Sequence, residues 1–488
     1  MKNKKGRRGR NKATSNKDPA CKANGDRLSR LPNGLLLNIL ERVETFDALR
    51  ACILSKRMLK LPAMFSQIVI DVGSLAAHHD SSRGRGFGFR DMVRMNGAVA
   101  DVTDKILSTR SPGIAIRKLN VRMILMRHQF RTVGKSFADA MATQTVEKAE
   151  IEIATEKACQ NCTSDDLLNF AKLFNTILSD CLDAFAGLTR LWLQNMRFGE
   201  QDIPNILSTC KRLESLRFSY CDSGICSVLH LEHDQLVEVE IDYGQFQTVV
   251  LSCLPKLQRV SYNNWCSYDD QPLSFGFVPQ LSKLGLTKTG VRSDRPLELS
   301  QLLANVPSIS ELHMDFESEK IWVLPECPKL LAPVLGKLRL VNLENLPEGC
   351  DISWTMFILE AAPLLKELSI TVWDHWCDMV LDKERRKADG YCGKSNVEWK
   401  PSASDFKHKN LAKLTIYGFQ ADDDFIRYIR RVMVATVNME EISLHDRKVL
   451  NCCSDSNPKT RYPRTDEERK RVMEELGTAQ LAMVYFRP

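Results

Sequence analysis

A histidine between two acids and one pair of cysteines are the residues with the clearest chemical potential. His313 lies between Glu311 and Asp315, where a carboxylate could orient the ring for general-base chemistry. The same alternation is typical of solvent-facing positions on a strand, which is the interpretation that we favour. Cys159 and Cys162 form a C-x-x-C pair, but no second cysteine or histidine pair follows at the spacing of a zinc site. The sequence therefore predicts no catalytic residue, no metal and no cofactor.

Two glycine-containing segments partly match nucleotide-handling motifs. Thr132-Val-Gly-Lys-Ser136 matches the end of a phosphate-binding loop, but the first glycine of that loop would fall on Gln129. Arg85-Gly-Phe-Gly-Phe89 matches the core of an RNA-recognition strand, but no strand–helix alternation surrounds it. We therefore predict a flexible glycine-rich loop at 81–89, within a linker and helix at 73–115.

The positive charge of the chain is concentrated at its N-terminus. The 488 residues have a formal net charge of +7, and residues 1–25 contain nine Lys or Arg and one Asp. We predict a basic disordered tail at 1–25, which could be a nuclear localisation segment, an RNA-contacting arm or a leader without a dedicated role. No secretory signal and no apolar run of about 18 residues is present. We expect a location in the nucleus, the cytoplasm or both, with reduced, mostly buried cysteines.

A repeated pattern accounts for most of the chain. The pattern apolar-x-x-apolar-x-apolar begins at Ile116, Val146, Leu188, Leu213, Leu236, Leu257, Leu281, Ile309, Leu335, Leu365, Leu411 and Met439. From Leu188 to Leu365 the copies are 21 to 30 residues apart, which is typical of leucine-rich repeats. One unit cannot bury its apolar face alone, so neighbouring units must stack. We predict an α/β fold: a curved solenoid at 116–445 with parallel strands on its concave face and helices on its convex face.

Two further segments complete the predicted solenoid. Leu365 and Leu411 are 46 residues apart, which indicates a charged insertion at about 374–406, either a functional loop or a disordered one. A C-terminal cap is expected at 446–488. There, Thr465 and Glu468 form a capping box for a helix to Leu476, and a last strand would contain Val484 and Phe486.

A helical module is expected at 26–72, ahead of the repeats. Pro32 fits a first helical turn, and Leu35, Leu36, Ile39, Leu40 and Val43 recur at helical spacing. Thr45 is a candidate N-cap for a second helix and Ser55 for a third, and a first strand is expected at 68–72. So small a module buries little of its surface, and therefore we expect it to dock onto a partner.

This module resembles the F-box. The resemblance rests on Leu31-Pro32, Ile39-Leu40, Ala48-Leu49-Arg50 and Leu54-Ser55-Lys56-Arg57, while Asn33 replaces a usual acidic residue and Met58 a usual tryptophan. The resemblance implies binding to a Skp-type adaptor, and through it to a cullin, by Leu31, Pro32, Leu35, Leu36, Ile39, Leu40, Leu49, Leu54, Ser55, Lys56 and Arg57. The segment from Tyr462 to Arg469 and the end at Val484–Arg487 resemble plant F-box/leucine-rich-repeat proteins of the FBD-like type.

The predicted concave face supplies the candidate target-binding residues. Its central column would hold Asn120, Trp192, Arg217, Glu240, Ser261, Gly285, His313, Arg339, Ser369, Thr415 and Ser443, with flanking positions that include Arg190, Arg259 and Lys337. An exposed tryptophan beside arginines is typical of interface hot spots, although Trp192 could instead pack under a loop. We expect target contacts from Arg190, Trp192, Arg217, Glu240, Arg259, His313 and Arg339.

Three functional hypotheses remain open from the sequence. The first is a non-catalytic substrate receptor of a Skp-cullin-F-box ubiquitin ligase, whose repeats hold a target protein. The second, motivated by Asn33 and Met58, is a repeat scaffold without ligase coupling. The third is an RNA-associated protein that uses the tail and the loop at 81–89. The mixed charge of the predicted concave face disfavours nucleic acid, because a nucleic-acid surface is uniformly basic. No membrane partner is expected.

Overall fold

The computed structural model describes most of the chain from Leu31 onward. It covers residues 31–75, 88–110, 113–224, 226–265, 271–288, 296–318, 321–347, 351–372, 399, 406–446, 462–477 and 484–487. The predicted basic tail at 1–25, most of the glycine-rich loop at 81–89 and nearly all of the insertion at about 374–406 lie outside these residues.

Among the described residues, fourteen parallel strands form one sheet that begins in the helical module and ends with the last described segment. In spatial order its strands are β1 (Gln67–Asp71), β2 (Ile116–Ile124), β3 (Val146–Ala154), β4 (Arg190–Gln194), β5 (Ser215–Ser219), β7 (Glu238–Asp242), β9 (Arg259–Trp265), β11 (Lys283–Lys288), β12 (Glu311–Asp315), β13 (Leu340–Leu346), β14 (Glu367–Val372), β15 (Lys413–Tyr417), β16 (Glu441–His445) and β17 (Val484–Arg487). A second parallel sheet contains β6 (Val228–Glu232), β8 (Thr248–Cys253) and β10 (Leu273–Phe277).

Among the described residues, helices precede β1 and also connect most neighbouring strands of the large sheet. They are α1 (Asn33–Leu40), α2 (Thr45–Ile53), α3 (Phe89–Ser108), α4 (Arg127–Thr143), α5 (Ser164–Asp180), α6 (Leu182–Ala186), α7 (Asp202–Thr209), α8 (Leu299–Leu302), α9 (Pro328–Leu335), α10 (Met356–Ala361), α11 (Asp423–Ala435) and α12 (Asp466–Leu476). Within the described residues, no helix is both long and apolar enough to cross a membrane. This α/β arrangement of stacked parallel units confirms the predicted solenoid.

The repeated apolar pattern forms the core between the sheet and its connections. In β5, Leu216 and Phe218 are fully buried, while Arg217 between them faces the other side of the sheet. Successive side chains of a strand point to opposite faces, so each unit places two apolar side chains inward. The preceding Leu213 is also fully buried. The pattern therefore predicts the core correctly in this repeat, and the same burial recurs along the sheet.

The structure corrects the prediction in two places. The copy at Leu335 is displaced by three residues, because Leu338, Val341 and Leu343 fit the pattern equally well and are the ones that are buried around β13. The connections before β7, β9 and β11 are strands of the second sheet rather than helices. Their sequences alternate buried and exposed side chains with a period of two, as in Val228–Glu232, which favours a strand over a helix.

The C-terminal elements confirm the predicted last helix and strand. The Thr465 hydroxyl accepts a hydrogen bond from the Glu468 amide at 3.2 Å, and the Glu468 carboxylate accepts one from the Thr465 amide at 3.0 Å. This capping box opens α12. The final strand β17 then pairs with β16.

The helical module is joined to the solenoid through β1, which lies beside β2. Glu41, just after α1, accepts hydrogen bonds from the amide and hydroxyl of Ser66. Thr45 was predicted to be an N-cap, but Glu44 holds that position, and the Thr45 hydroxyl instead accepts a bond from the Val69 amide at 3.2 Å. Arg110, which is 8% exposed, donates to the Phe65 carbonyl at 2.5 Å. These bonds fix the module to the first strands of the sheet.

Two buried cysteines are expected to resist alkylation. Burial raises the pKa of the Cys210 thiol and of the Cys221 thiol to about 12, so both remain protonated at pH 8, where the thiolate is the reactive form. Cys226 and Cys327 are exposed and serve as internal controls. Peptide mapping after iodoacetamide treatment of the folded chain should find label on these two and none on the buried pair. Equal labelling of Cys221 and Cys226 would contradict the described packing.

Candidate functional site

The first candidate surface is the set of apolar side chains exposed on the helical module. On α1, Leu36 and Leu40 are 1% and 5% exposed, whereas Leu35 and Ile39 are 51% and 42% exposed. Residues four apart share one side of a helix, so α1 has one side in the module's core and another side open. The other exposed large apolar residues among the described part of the module are Val43, Ile53, Leu54 and Leu59 on or beside its helices and Val69 on β1. The module therefore leaves unpartnered apolar surface although it is already docked on the solenoid.

These exposures divide the predicted adaptor contacts into open and buried side chains. Leu36 and Leu40 are buried in the module in this conformation, and their role as adaptor contacts stays a prediction. Leu35, Ile39 and Leu54 are exposed, as are Pro32, Lys56 and Arg57, while Leu31, Leu49 and Ser55 are half-buried. Ile53 and Leu59, which are not among the predicted contacts, are also open, at 69% and 54% exposed.

The two departures from the F-box pattern have structural roles in the module. The side-chain oxygen of Asn33 accepts hydrogen bonds from Arg57 at 3.0 and 2.7 Å. Arg57 also donates to the Leu31 carbonyl at 2.7 Å. Met58 is 7% exposed and belongs to the core, where a flexible thioether fills irregular space well. Asn33 therefore binds Arg57 through its side chain, and Met58 is a residue of the module's core.

The second candidate surface is the concave face of the sheet, which has three rows of side chains in register. The central row contains Trp192, Arg217, Glu240, Ser261, Gly285, His313, Asn342, Ser369, Thr415 and Ser443. The near row, two residues earlier on each strand, includes Arg190, Ser215, Glu238, Arg259, Lys283 and Glu311. The far row, two residues later, includes Gln194, Ser219, Asp242, Asn263, Thr287, Asp315 and Glu344.

Two predicted members of the central column lie elsewhere. Arg339 precedes β13, as does Lys337, because the apolar pattern is displaced there, and Asn342 takes the central position instead. Asn120 pairs with Glu150, which is in line with Arg190, so Asn120 belongs to the near row. It is 5% exposed and donates to Glu150 at 2.9 Å, so its amide is already engaged.

In the near row, Glu238 on β7 lies within reach of two arginines. Glu238 accepts hydrogen bonds from Arg190 at 3.2 Å and from Arg259 at 3.1 Å. Burial alone would raise the pKa of Glu238, but the Arg259 hydrogen bond and the two guanidinium charges outweigh it and lower that pKa. For Glu240, burial raises the pKa, and Arg217, 3.5 Å away, offsets only part of that effect. The face is thus polar, mixed in charge and largely neutralised.

Trp192 lies between two guanidinium groups on this face. The Arg217 guanidinium is 4.4 Å from the centroid of the indole ring and that of Arg122 is 5.4 Å away, distances typical of cation–π contacts. The indole nitrogen donates to the Ser219 hydroxyl at 2.8 Å. Trp192 is therefore a half-buried, oriented side chain of the concave face. This cluster of tryptophan and arginine has the composition of an interface hot spot.

Replacing Arg217 is expected to destabilise this face measurably. Arg217→Ala removes the cation beside Trp192 and leaves the Asp242 carboxylate, its ion partner, with the Asn263 amide alone. Loss of a partner from a charged group typically costs about 1–3 kcal/mol. Arg190→Ala is the matched control: Glu238 retains Arg259 and the exposed pair contributes below about 1 kcal/mol. Equal free energies of unfolding for the two variants in urea would contradict this assignment.

His313 belongs to a cluster that the sequence did not reveal. Its Nε2 atom is 3.7 Å from a carboxylate oxygen of Glu344 on the neighbouring strand. One donor atom each of His313, Asp315 and Glu344 lie within 4.8 Å of one another. Glu311, which brackets His313 in the sequence, pairs with Lys283 at 2.7 Å instead. The partner of the histidine is 31 residues away in the sequence, and only the register of β12 with β13 brings it close.

Comparison with known proteins identifies both regions. Residues 28–65 match the F-box domain model, and residues 168–484, more than half of the chain, match the model described as the LRR domain of At1g61320/AtMIF1. The F-box/FBD/LRR-repeat protein At5g56810 of Arabidopsis thaliana is 22% identical over 363 residues, which are 71% of this chain and 75% of that protein.

A solved structure is also similar in part. The Toll–Spätzle complex of Drosophila matches 71% of this chain and 60% of its own at 10% identity, with a TM-score of 0.17. A TM-score this low does not show a shared fold.

Proposed function

Because this chain belongs to the family of the At1g61320/AtMIF1 leucine-rich-repeat domain and has an F-box ahead of it, we propose that it is the substrate-recognition subunit of a Skp-cullin-F-box ubiquitin ligase. F-box/leucine-rich-repeat proteins are in general substrate-recognition or interaction proteins and typically non-catalytic, and F-box domains generally bind Skp1 adaptors. In the proposed role, the helical module binds a Skp-type adaptor, and the adaptor connects it to a cullin.

The observation that carries the proposal is the apolar surface left open on the docked module. Leu35, Ile39, Ile53 and Leu54 are 42% to 86% exposed, although the module is already joined to the solenoid. A small helical unit with open apolar side chains is the typical partner of a hydrophobic groove. The adaptor supplies that groove in this proposal.

The concave face is the proposed target-binding surface. It presents Trp192, Arg217, Glu240, His313 and other polar side chains on rigid strands. The bonds of Glu41, Thr45 and Arg110 fix the module to the same sheet. A target held on this face would therefore keep a defined position relative to the adaptor, which favours transfer of ubiquitin by proximity rather than by catalysis within this chain.

Reconstitution of the full chain with a Skp-type adaptor and a cullin tests the proposal. We expect a stable complex in size-exclusion chromatography at micromolar concentration. Affinity purification from plant cells under proteasome inhibition should then recover adaptor, cullin and the target. If purified, folded chain forms no complex with the adaptor, the alternative of a repeat scaffold without ligase coupling replaces this proposal.

The basic segment of residues 2–10 supports a second element of the proposal, a location in the nucleus, the cytoplasm or both. Clusters of Lys and Arg of this kind can act as nuclear localisation signals. A fluorescent fusion should lose nuclear signal when residues 1–25 are deleted. An unchanged distribution of the fusion would show that residues 1–25 do not direct its localisation.

A further inference from the structure

The carboxylates of Asp315 and Glu344 differ from most of the others in the three rows. Glu238, Asp242 and Glu311 each form an ion pair with an arginine or lysine. Within the described residues, the ion-pair partner of Glu344 is the imidazole of His313, and Asp315 has no basic side chain within ion-pair distance. Two negative charges therefore lie beside an imidazole without a permanent cation to neutralise them.

The sheet itself brings the three side chains together. β12 and β13 are parallel, and their register places Asp315 directly opposite Glu344 and His313 one position earlier on the same face. The candidate donor atoms lie within 4.8 Å of one another. Donors at about 2.0–2.2 Å from a shared tetrahedral zinc ion lie roughly 3.3–3.6 Å apart, so these atoms would have to approach one another by up to about 1.5 Å. His313 and Glu344 have side chains that are 36% and 45% exposed, so small rotations can close this difference.

Asp315 is already oriented by groups outside the cluster. One of its oxygens, Oδ1, accepts hydrogen bonds from the Asn345 side-chain amide and from the Glu317 backbone amide, both at 2.9 Å. Its Oδ2 atom has no hydrogen bond among the described residues and remains available. Metal-binding carboxylates are commonly held in this way, and loss of such a partner typically weakens metal affinity. Asn345 has a positive φ of 52°, so the backbone also fixes this amide at the end of the strand.

From this geometry we propose that His313, Asp315 and Glu344 bind a divalent transition-metal ion of the zinc class on the concave face. One imidazole and two carboxylates suit Zn²⁺ and its neighbours in the first transition row. Three protein ligands leave at least one coordination position open. That position faces the surface of the solenoid, so water or a donor atom of a bound molecule can fill it. The site requires neither the adaptor nor the ligase function.

Isothermal titration of the full-length chain with Zn²⁺ tests the proposal. We expect a binding event in the wild type that is absent in His313→Ala and in Glu344→Gln. The chain contains sixteen cysteines, which also attract zinc, but they are common to all variants, so the difference between titrations isolates the cluster. Far-UV circular dichroism and Tm in the absence of metal establish that each variant is folded. Glu344→Gln is the more conservative of the two changes, because it keeps the shape of an exposed side chain.

Two further variants separate a built site from adventitious binding. Asn345→Gly removes the hydrogen bond to Asp315 while glycine still permits the positive φ, so we expect Zn²⁺ affinity to fall roughly 10- to 100-fold. His445→Ala removes a histidine of the same face on β16 and should leave the event unchanged. The proposal is overturned if the wild type shows no event beyond that of His313→Ala, or if His445→Ala abolishes it equally.

Discussion

Leu54→Asp is expected to abolish capture of a Skp-type adaptor without lowering the Tm of the chain. Leu54 is 86% exposed, and substitutions at such positions usually change the free energy of unfolding by less than about 0.5 kcal/mol. In an apolar interface, however, loss of an anchoring side chain costs at least about 2 kcal/mol, or roughly thirtyfold in Kd. A buried aspartate without a partner adds a desolvation cost. Surface plasmon resonance with immobilised adaptor measures the loss of adaptor affinity. Scanning calorimetry measures the Tm.

The matched control is another exposed leucine far from the module. Leu330 on α9 is 62% exposed, and Leu330→Asp introduces the same charge into the solenoid. It should leave both adaptor affinity and Tm unchanged. Wild-type affinity in Leu54→Asp would show that this part of the module is not the contact, and the proposed function would then have to rest on Leu35 and Ile39 or be abandoned.

Leu36→Ala, unlike Leu54→Asp, should lower the stability of the module and should weaken adaptor binding only as a consequence. Leu36 is 1% exposed and packs in the module's core, where removal of a buried leucine side chain typically costs about 2–5 kcal/mol. Adaptor affinity then falls only because the module is less often folded. Comparison of Leu36→Ala with Leu54→Asp therefore distinguishes a lost fold from a lost contact, which a single loss-of-binding variant cannot do.

The repeat pattern predicts the architecture well because each unit has the same physical task. Residues such as Leu216 and Phe218 alternate with polar neighbours, and this period of two determines which side of a strand faces the core. This period cannot determine which alignment of the apolar pattern is correct where several apolar residues follow one another in the sequence. Around β13, Leu338, Leu340, Val341 and Leu343 satisfy two alignments, and packing against β12 selects one. Arg339 was misplaced for this reason.

The sites were less predictable than the fold because they depend on contacts between strands. His313 could be singled out in the sequence, but Glu344 and Asn345 could not, since nothing local connects them to it. Similarly, helical spacing identifies the apolar residues of α1 but does not say which side is covered. β1 and the bonds from Glu41 and Thr45 orient the module, and these long-range contacts leave Leu35 outside while they bury Leu36.

Gly418→Ala is expected to destabilise the last repeats strongly. Gly418 follows β15 with a φ of +73°, and a Cβ atom there would overlap the carbonyl oxygen of Val372 at the end of β14. A left-handed backbone costs a non-glycine residue about 1–2 kcal/mol, and forced overpacking commonly adds about 1–3 kcal/mol. The expected loss is thus about 2–5 kcal/mol. Urea denaturation gives the total, and hydrogen exchange should show faster opening of β15 and β16 than of β4 and β5.

Gly113→Ala separates the two causes of that loss. Gly113 has a comparable φ of +91°, but a Cβ atom there would meet nothing within 4 Å, so only the conformational part of about 1–2 kcal/mol applies. Because neighbouring units stack as in a one-dimensional array, a local defect at Gly418 should weaken the adjoining C-terminal strands more than distant ones. Equal losses in the two variants would mean that the close approach to Val372 is relieved without cost. Uniformly faster exchange along the whole sheet would instead show that the fourteen strands unfold as one cooperative unit.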